Sequence, residues 1–424
     1  MTRKQTVLKA IVVVLAGMSW AVASQAEEGA QEAKKSTGIW DTVSSWKLPD
    51  TVQIHGFASQ SYIHTSANDF LGHTSNMGSL DFTEMGLNGS WRPLPQLQAS
   101  MQVVYRRAGR TDNQNVRLDF GFLDYSIVAN ADTLFGIRGG RVFNPYGLYN
   151  DTRDMPFTRP SIFLPQSVYF DINRNFSLSG DGVQVYAERR TELGDFSLQI
   201  NGVYPRTADP DISLLINGNF PGSITGEPSW MGRLSYEGYN NRIKLSVTSG
   251  EFNIRYKPSG GLISVDGDQV TVSTLGPGEF KFSPILFSAR YADEHWGLTG
   301  EYVLRPVSLQ GFGPLLPNTS YTGESYYVQG HYRFAPKWEA LMRYDVLYSD
   351  RSDRSGQKQA MPGSPAFNYF AKDITFGLRY DVTPWWMLRA EYHLINGTGW
   401  TPLTENTSFE QHWNMFAIST SFRF

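Results

Sequence analysis

The sequence predicts an all-β chain closed into a transmembrane antiparallel β-barrel of about 16 strands. Three observations predict it. The hydrophobic period is two from Val52 to the end of the chain, the connections alternate between very short and long, and tryptophans gather beside the short ones. Composition fits that class and excludes others. Aromatic residues make up 14% and charged residues 18%, with 40 glycines, a mixture unlike the Leu- and Ala-rich periodic blocks of a helical enzyme. Cysteine is absent, so disulfides, thiolate nucleophiles and cysteine-ligated metals are excluded. A net charge of −3 gives no basic excess for binding nucleic acid.

The chain opens with Arg3, Lys4 and Lys9 ahead of an apolar run from Ala10 to Val22, followed by the small residues Ser24 and Ala26. This is the pattern of a secretory signal peptide over residues 1–26, cut after Ala26 or, alternatively, Ala23. Residues 27–51 read as a polar periplasmic leader, with one amphipathic turn at Ile39, Trp40, Val43 and Trp46. The barrel takes residues 52–424.

Within the barrel, one face of each strand is apolar and the other polar. In "LQASMQVVYRR", Leu97, Ala99, Met101, Val103 and Tyr105 oppose Gln98, Ser100, Gln102 and Arg106; "ITFGLRYDV" and "MLRAEYHL" repeat the pattern. Strands are expected at 52–62, 80–91, 97–107, 117–129, 133–142, 180–190, 195–205, 228–238, 241–252, 279–292, 295–305, 322–334, 337–349, 370–382, 385–396 and 410–424. Between them, "ANAD", "TELGD", "YNN", "EH", "AP" and "TP" are tight turns that alternate with long Gly-, Pro- and Asn-rich loops. A hairpin in "LISVDGDQVTVSTL" either raises the strand count or is a folded loop. "DGDQ" from Asp266 reads as a solvated turn rather than a calcium site, because the remainder of an EF-hand loop is missing.

Alternation alone does not say which face is buried. Trp91, Trp296, Trp338, Trp385 and Trp386 flank the short turns, where an indole with its ring in hydrocarbon and its N–H in water suits a bilayer boundary. The polar faces then point inward, since Arg or Lys facing mid-bilayer lipid costs about 2–4 kcal/mol. The last strand, "FAISTSFRF", puts Phe416, Ile418, Thr420, Phe422 and Phe424 on one face and ends the chain on Phe424.

That terminus, with the signal peptide, the lack of cysteine and the strand count, resembles the Gram-negative outer-membrane porin superfamily of sixteen-stranded trimers over residues 52–424, loosely the phosphate-selective type. The resemblance implies an integral outer-membrane protein in contact with lipid and lipopolysaccharide. It implies recognition of the Phe424 strand by the barrel-assembly machinery, a homotrimer, and a water-filled pore for passive diffusion of ions and small hydrophilic solutes, with no cofactor. It also implies that the longest loop, residues 144–179, folds inward as a constriction. That loop mixes Phe157, Ile162, Phe163, Leu164, Val168, Tyr169 and Phe170 with charges, which a water-exposed loop has no reason to do. "NDTRDMPFTRP" departs from the acidic loop of the general porins, and no lysine ladder supports phosphate binding.

The expected pore lining is Arg106, Arg138, Asp151, Arg153, Asp154, Arg159, Asp171, Arg174, Arg343, Arg379 and Arg389. Two arrangements are open: a wall of ion pairs such as Arg343 with Asp345, Arg379 with Asp381 and Arg389 with Glu391, or a transverse field between wall bases and the loop acids Asp151, Asp154 and Asp171. The few extra bases suggest a slight anion preference. His55, His331 and His393 can face the lumen, but none has a Ser or carboxylate partner at the spacing of a catalytic triad. A receptor or adhesin acting through the external loops 206–227, 253–278, 306–321 and 350–369 is the alternative function, with a barrel enzyme behind it. Small residues on the outer faces, Gly56, Ala58, Gly86 and Gly89, suit subunit packing.

Overall fold

The computed structural model describes residues 49–218, 220–266 and 269–424. The signal peptide and the leader up to residue 48 lie outside the described residues. Sixteen antiparallel strands form one closed sheet. They are β1 Val52–Thr65, β2 Ser79–Leu94, β3 Leu97–Ala108, β4 Asp112–Ala129, β5 Thr133–Phe143, β6 Ser179–Thr191, β7 Gly194–Pro205 and β8 Gly222–Gly238. After β9, Ile243–Pro258, comes β10 in two pieces, Gly278–Phe282 and Ile285–Ala292. Then follow β11 Trp296–Gln310, β12 Thr319–Ala335, β13 Trp338–Tyr348, β14 Phe370–Thr383, β15 Trp386–Gly397 and β16 His412–Arg423. Both pieces of β10 pair with β9 and β11, so Ser283 and Pro284 interrupt one strand rather than separate two. The hairpin of Leu262–Asp266 with Gln269–Ser273 pairs only with itself and belongs to a loop.

All the expected strands are present, and several run further. The expected strands 228–238 and 295–305 begin at Pro228 and end before Pro306, residues that donate no ladder hydrogen bond. The barrel passes both: β8 shifts register between Glu227 and Trp230, and Pro306 pairs with Thr322 inside β11. The turn from Tyr239 to Asn241 holds three successive residues in the left-handed region (φ 53°, 55° and 62°), which asparagine tolerates.

Closure is made by β1 with β16, in register from Phe57 opposite Arg423 to Thr65 opposite Met415. The last residue takes part: Gly56 N–H donates to the Phe424 carbonyl (3.1 Å) and Phe424 N–H returns the bond to Gly56 (3.0 Å). Phe424's ring lies over Gly56, where a Cβ would collide with it.

Outward positions carry the apolar residues, among them Leu123, Leu234, Leu298, Met342 and Ile418, as lipid contact requires. Beside the short turns the aromatics pack across strands, Trp338 against Tyr380 (centroids 4.5 Å apart), Tyr291 against Trp296 (5.0 Å) and Trp386 stacked on Phe422 (5.7 Å). One expectation about this surface fails. Gly86 faces the lumen, since it pairs with the inward Phe57, whose ring occupies the space above it.

Towards the long-loop end the inward faces become apolar. Val203, Phe252, Ile254, Tyr256, Leu286 and Val303 pack with Ile212 and Ile216 of the helix Pro210–Asn217, with Leu275 and Phe312 of neighbouring loops, and with Leu164, Val168 and Tyr169. A second cluster joins Ile63, Phe70, Phe82, Trp400 and Trp413 to Ile162 and Phe163. Each such side chain contributes about 1.5–3 kcal/mol by leaving water. The loops read as external thus partly fold over the lumen.

Candidate functional site

Residues 144–178 leave β5 and turn into the barrel. Two asparagines close the neck: Asn144 N–H donates to Leu178 O (2.9 Å), and the Asn150 amide donates to the carbonyls of Asn144 (2.9 Å) and Ser177 (2.9 Å). Gly147 makes the next bend in the left-handed region (φ 59°), with the Tyr169 hydroxyl where a Cβ would stand. The hydroxyl itself donates to Glu301 (2.6 Å) and accepts from Leu148 N–H (2.7 Å).

A segment with this little regular structure brings buried peptide groups that need partners. Wall charges supply them. Arg389 donates to the carbonyls of Pro156 (2.8 Å), Arg159 (2.6 Å) and Ser161 (3.1 Å). Arg343 donates to Phe163 O (3.2 Å) and Ser161 Oγ (2.9 Å), Arg305 to Ser167 O (2.7 Å) and Arg233 to Gly147 O (2.6 Å). In return Glu391 accepts from Ile162 N–H, Glu301 from Leu148 N–H (3.0 Å) and Asp345 from Ser167 N–H (3.3 Å). Within the loop, Arg153 serves the carbonyls of Tyr169 (3.3 Å) and Phe170 (3.2 Å). Leaving one such group unpaired costs about 1–3 kcal/mol, so this set fixes the loop's path.

On the facing wall the contacts are ionic. Arg159 reaches Glu84 (2.7 Å), and Glu84 also meets Arg106 (3.3 Å). Arg106 continues to Asp112 (3.4 Å) and Asp171 (2.6 Å), while Arg117 pairs with Asp112 (2.7 Å). Arg174 ties Asp154 of the loop to Asp119 of β4. Burial, together with the nearby Asp119 carboxylate, pushes the Asp154 carboxyl up to about 7, and the Arg174 charge only partly opposes this. The loop residues Arg153, Asp154, Arg159, Asp171 and Arg174 line, with Glu84, a cavity of about 10 Å³, room for about one water.

The expected lining residues are therefore placed as follows. Arg106, Arg153, Asp154, Arg159, Asp171 and Arg174 meet in one buried network. Asp151 pairs with Arg233, and Arg138 with Asp124 (2.9 Å) and Gln184 (2.9 Å). Arg379 pairs with Asp381 (2.8 Å) near the short turns. Of the expected wall pairs only this last one forms; Arg343 and Arg389 hold loop backbone instead of Asp345 and Glu391. Of Arg106, Arg343, Arg379 and Arg389, only Arg106 pairs with a loop acid, Asp171.

His393 also departs from expectation. Its Nδ1 is 2.8 Å from Asp373 and its Nε2 is 3.4 Å from Glu391, with Thr375 Oγ1 at 3.1 Å, all behind the Phe163 ring. Asp373 and His393 lie on neighbouring strands, and sequence spacing does not reveal that the barrel register brings them together. The group anchors Glu391, which in turn holds the loop. Among the described residues no cluster of His, Asp and Glu fit to hold a metal ion is found.

No protein-family model and no curated protein sequence matches the chain. Solved structures do. An anion-selective porin from Comamonas acidovorans is 11% identical with a TM-score of 0.56, over 88% of this chain and 99% of that one. OmpF of Salmonella typhi, solved with daunomycin, is 16% identical with a TM-score of 0.54, over 88% and 97%. The outer-membrane channel DcaP of Acinetobacter baumannii is 12% identical with a TM-score of 0.53, over the same shares. At these identities the likeness is one of fold.

Proposed function

We propose that this chain, built on the fold of the sixteen-stranded porins, is an integral outer-membrane channel through which ions and small hydrophilic solutes pass by diffusion. The observation that carries this reading is the closed barrel with lipid-facing apolar residues outside, charged side chains inside, and one long loop drawn into the lumen at mid-height. A barrel of this size serves as a conduit when its interior is polar. The contacts of residues 144–178 run from β2 round to β15, and the cavity enclosed by the ionic network has room for about one water. The loop's hold on the wall is polar and dense, so its inward position is the resting one.

A slight anion preference goes with this reading. Lys337, Arg379 and Arg423 line a cavity of about 430 Å³ near the short turns, with Asp381 as the acid among them. Trimeric assembly is likewise proposed, on the small outward residues Ala58 and Gly89; Gly56, under Phe424, and Gly86, facing inward, no longer argue for it. Planar-bilayer recording of the purified protein in a salt gradient tests the channel. Discrete current steps with a reversal potential on the anion side are expected. Silence refutes the channel, and clear cation selectivity refutes the preference.

A further inference from the structure

We propose that the lumen cavity between β2–β5 and the inward loop is a binding site for a neutral hydroxylated ring, that is, a neutral sugar. This names a solute class for the channel and so rests on that reading, but binding there is measurable without any current.

The cavity has a volume of about 290 Å³, at the lower end of small-molecule sites. One half of its wall is aromatic. Phe120 and Phe143 have ring centroids 4.6 Å apart, and Phe120 and Phe122 lie 5.8 Å apart with planes 30° from parallel. A second part is made of amides and hydroxyls on β2 and β3, and the loop closes the cavity with Asp151, Thr152, Asp154 and Met155. Gln102 stands directly across from Phe120, and Asn88 directly across from Gln102. Neighbouring strands are about 4.8 Å apart, so the Gln102 amide stands one strand and the Asn88 amide two strands to the side of a ring resting on Phe120. The Asn88 amide N–H donates to the Gln102 carbonyl oxygen at 3.4 Å. That contact leaves the Asn88 oxygen as an acceptor and the Gln102 NH₂ as a donor, a match for sugar hydroxyls, which both donate and accept. The C–H face of a pyranose is the part that an aromatic ring covers.

Charge argues for a neutral ligand. The carboxylates that the loop contributes, Asp151 and Asp154, are held by Arg233 and Arg174. Arg138, whose guanidinium lies 5.3 Å from the Phe122 ring centre, is paired with Asp124. An anionic sugar thus gains no unpaired cation here and meets the Asp151 carboxylate.

Isothermal titration of the full-length mature protein in detergent with glucose, and with glucuronate as its charged counterpart, tests the proposal. Glucose is expected to bind and glucuronate to bind at least about tenfold more weakly. Phe120→Ala and Gln102→Ala are each expected to weaken glucose by about tenfold, while the exposed turn variant Leu193→Ser leaves it unchanged. Ser90→Leu, which fills the cavity from the wall without stripping its packing, serves if Phe120→Ala does not fold, and is expected to abolish binding. No glucose binding by the unaltered protein, glucuronate binding as tight as glucose, or binding indifferent to these variants each overturns the site. Glucose binding without conductance counts against the channel and not against the site; conductance without glucose binding does the reverse.

Discussion

Replacing Arg389 by methionine separates the loop from the barrel that carries it. Arg389 is buried and serves three loop carbonyls, those of Pro156, Arg159 and Ser161. At about 1.5–3 kcal/mol for each bond to a charged donor, the ceiling is roughly 5–9 kcal/mol. The carbonyls regain water once the loop lifts, so the realistic loss is nearer the ~3–5 kcal/mol seen when one partner of a buried charged contact is removed. That shifts the loop's closed-to-released ratio by between about a hundredfold and several thousandfold. Amide exchange in detergent reads it directly. Ile162 N–H, bonded to Glu391, and its loop neighbours are expected to exchange faster by that factor, while ladder amides of β15 and β16 keep their protection. Arg379→Met is the comparison, because Arg379 bonds Asp381 and no loop carbonyl; it is expected to change loop exchange by less than about tenfold. Unchanged loop exchange in Arg389→Met, or equal acceleration of loop and ladder, refutes the view that wall charges hold the loop in place.

Asp154 gives a pH dependence of known sign. Its carboxyl is raised from 3.8 to about 7 by burial beside Asp119, so the folded loop favours the protonated form. The penalty of ionising it is absent below about pH 4, grows as pH rises through the interval, and is complete above about pH 7. Loop protection therefore falls over that interval, and Asp154→Asn is expected to flatten the profile; an unchanged profile counts against the assignment. At the seam, Gly56→Val places a side chain against the Phe424 ring and is expected to lower heat stability and the yield of assembled barrel, read as heat-modifiable mobility on gels. Gly139→Ala, with nothing within 4 Å of the new methyl, serves as the mild comparison.

The strands were legible because one rule, alternation, runs through each of them, and lipid outside with charge inside leaves one way to orient it. The inward loop was legible for a related reason: Ile162, Phe163 and Tyr169 do not belong in a loop bathed by water. Period two gives the face of a residue and not its partner across the lumen. Arg343 and Asp345 therefore read as a pair, although each is committed to loop backbone at Phe163 and Ser167. The same limit hid His393 between Asp373 and Glu391, groups that meet only through the β14–β15 register. Gly86 was misplaced by a neglect of parity, since three residues separate it from Gly89 and the two must face opposite ways. Strands β8 and β11 run past Pro228 and Pro306 because a register shift between Glu227 and Trp230, and the gap in β10 at Ser283 and Pro284, accommodate the prolines, and neither leaves a local sign in the sequence.

The central claim is that solutes cross through this lumen, past a loop that charges on the wall hold in place. Single-channel recording of the unaltered protein beside Arg389→Met tests it most directly. The account predicts discrete channel openings in both, with the conductance or current noise of the variant altered by release of the loop. Absence of any channel, or a variant whose openings match the unaltered protein's, contradicts it.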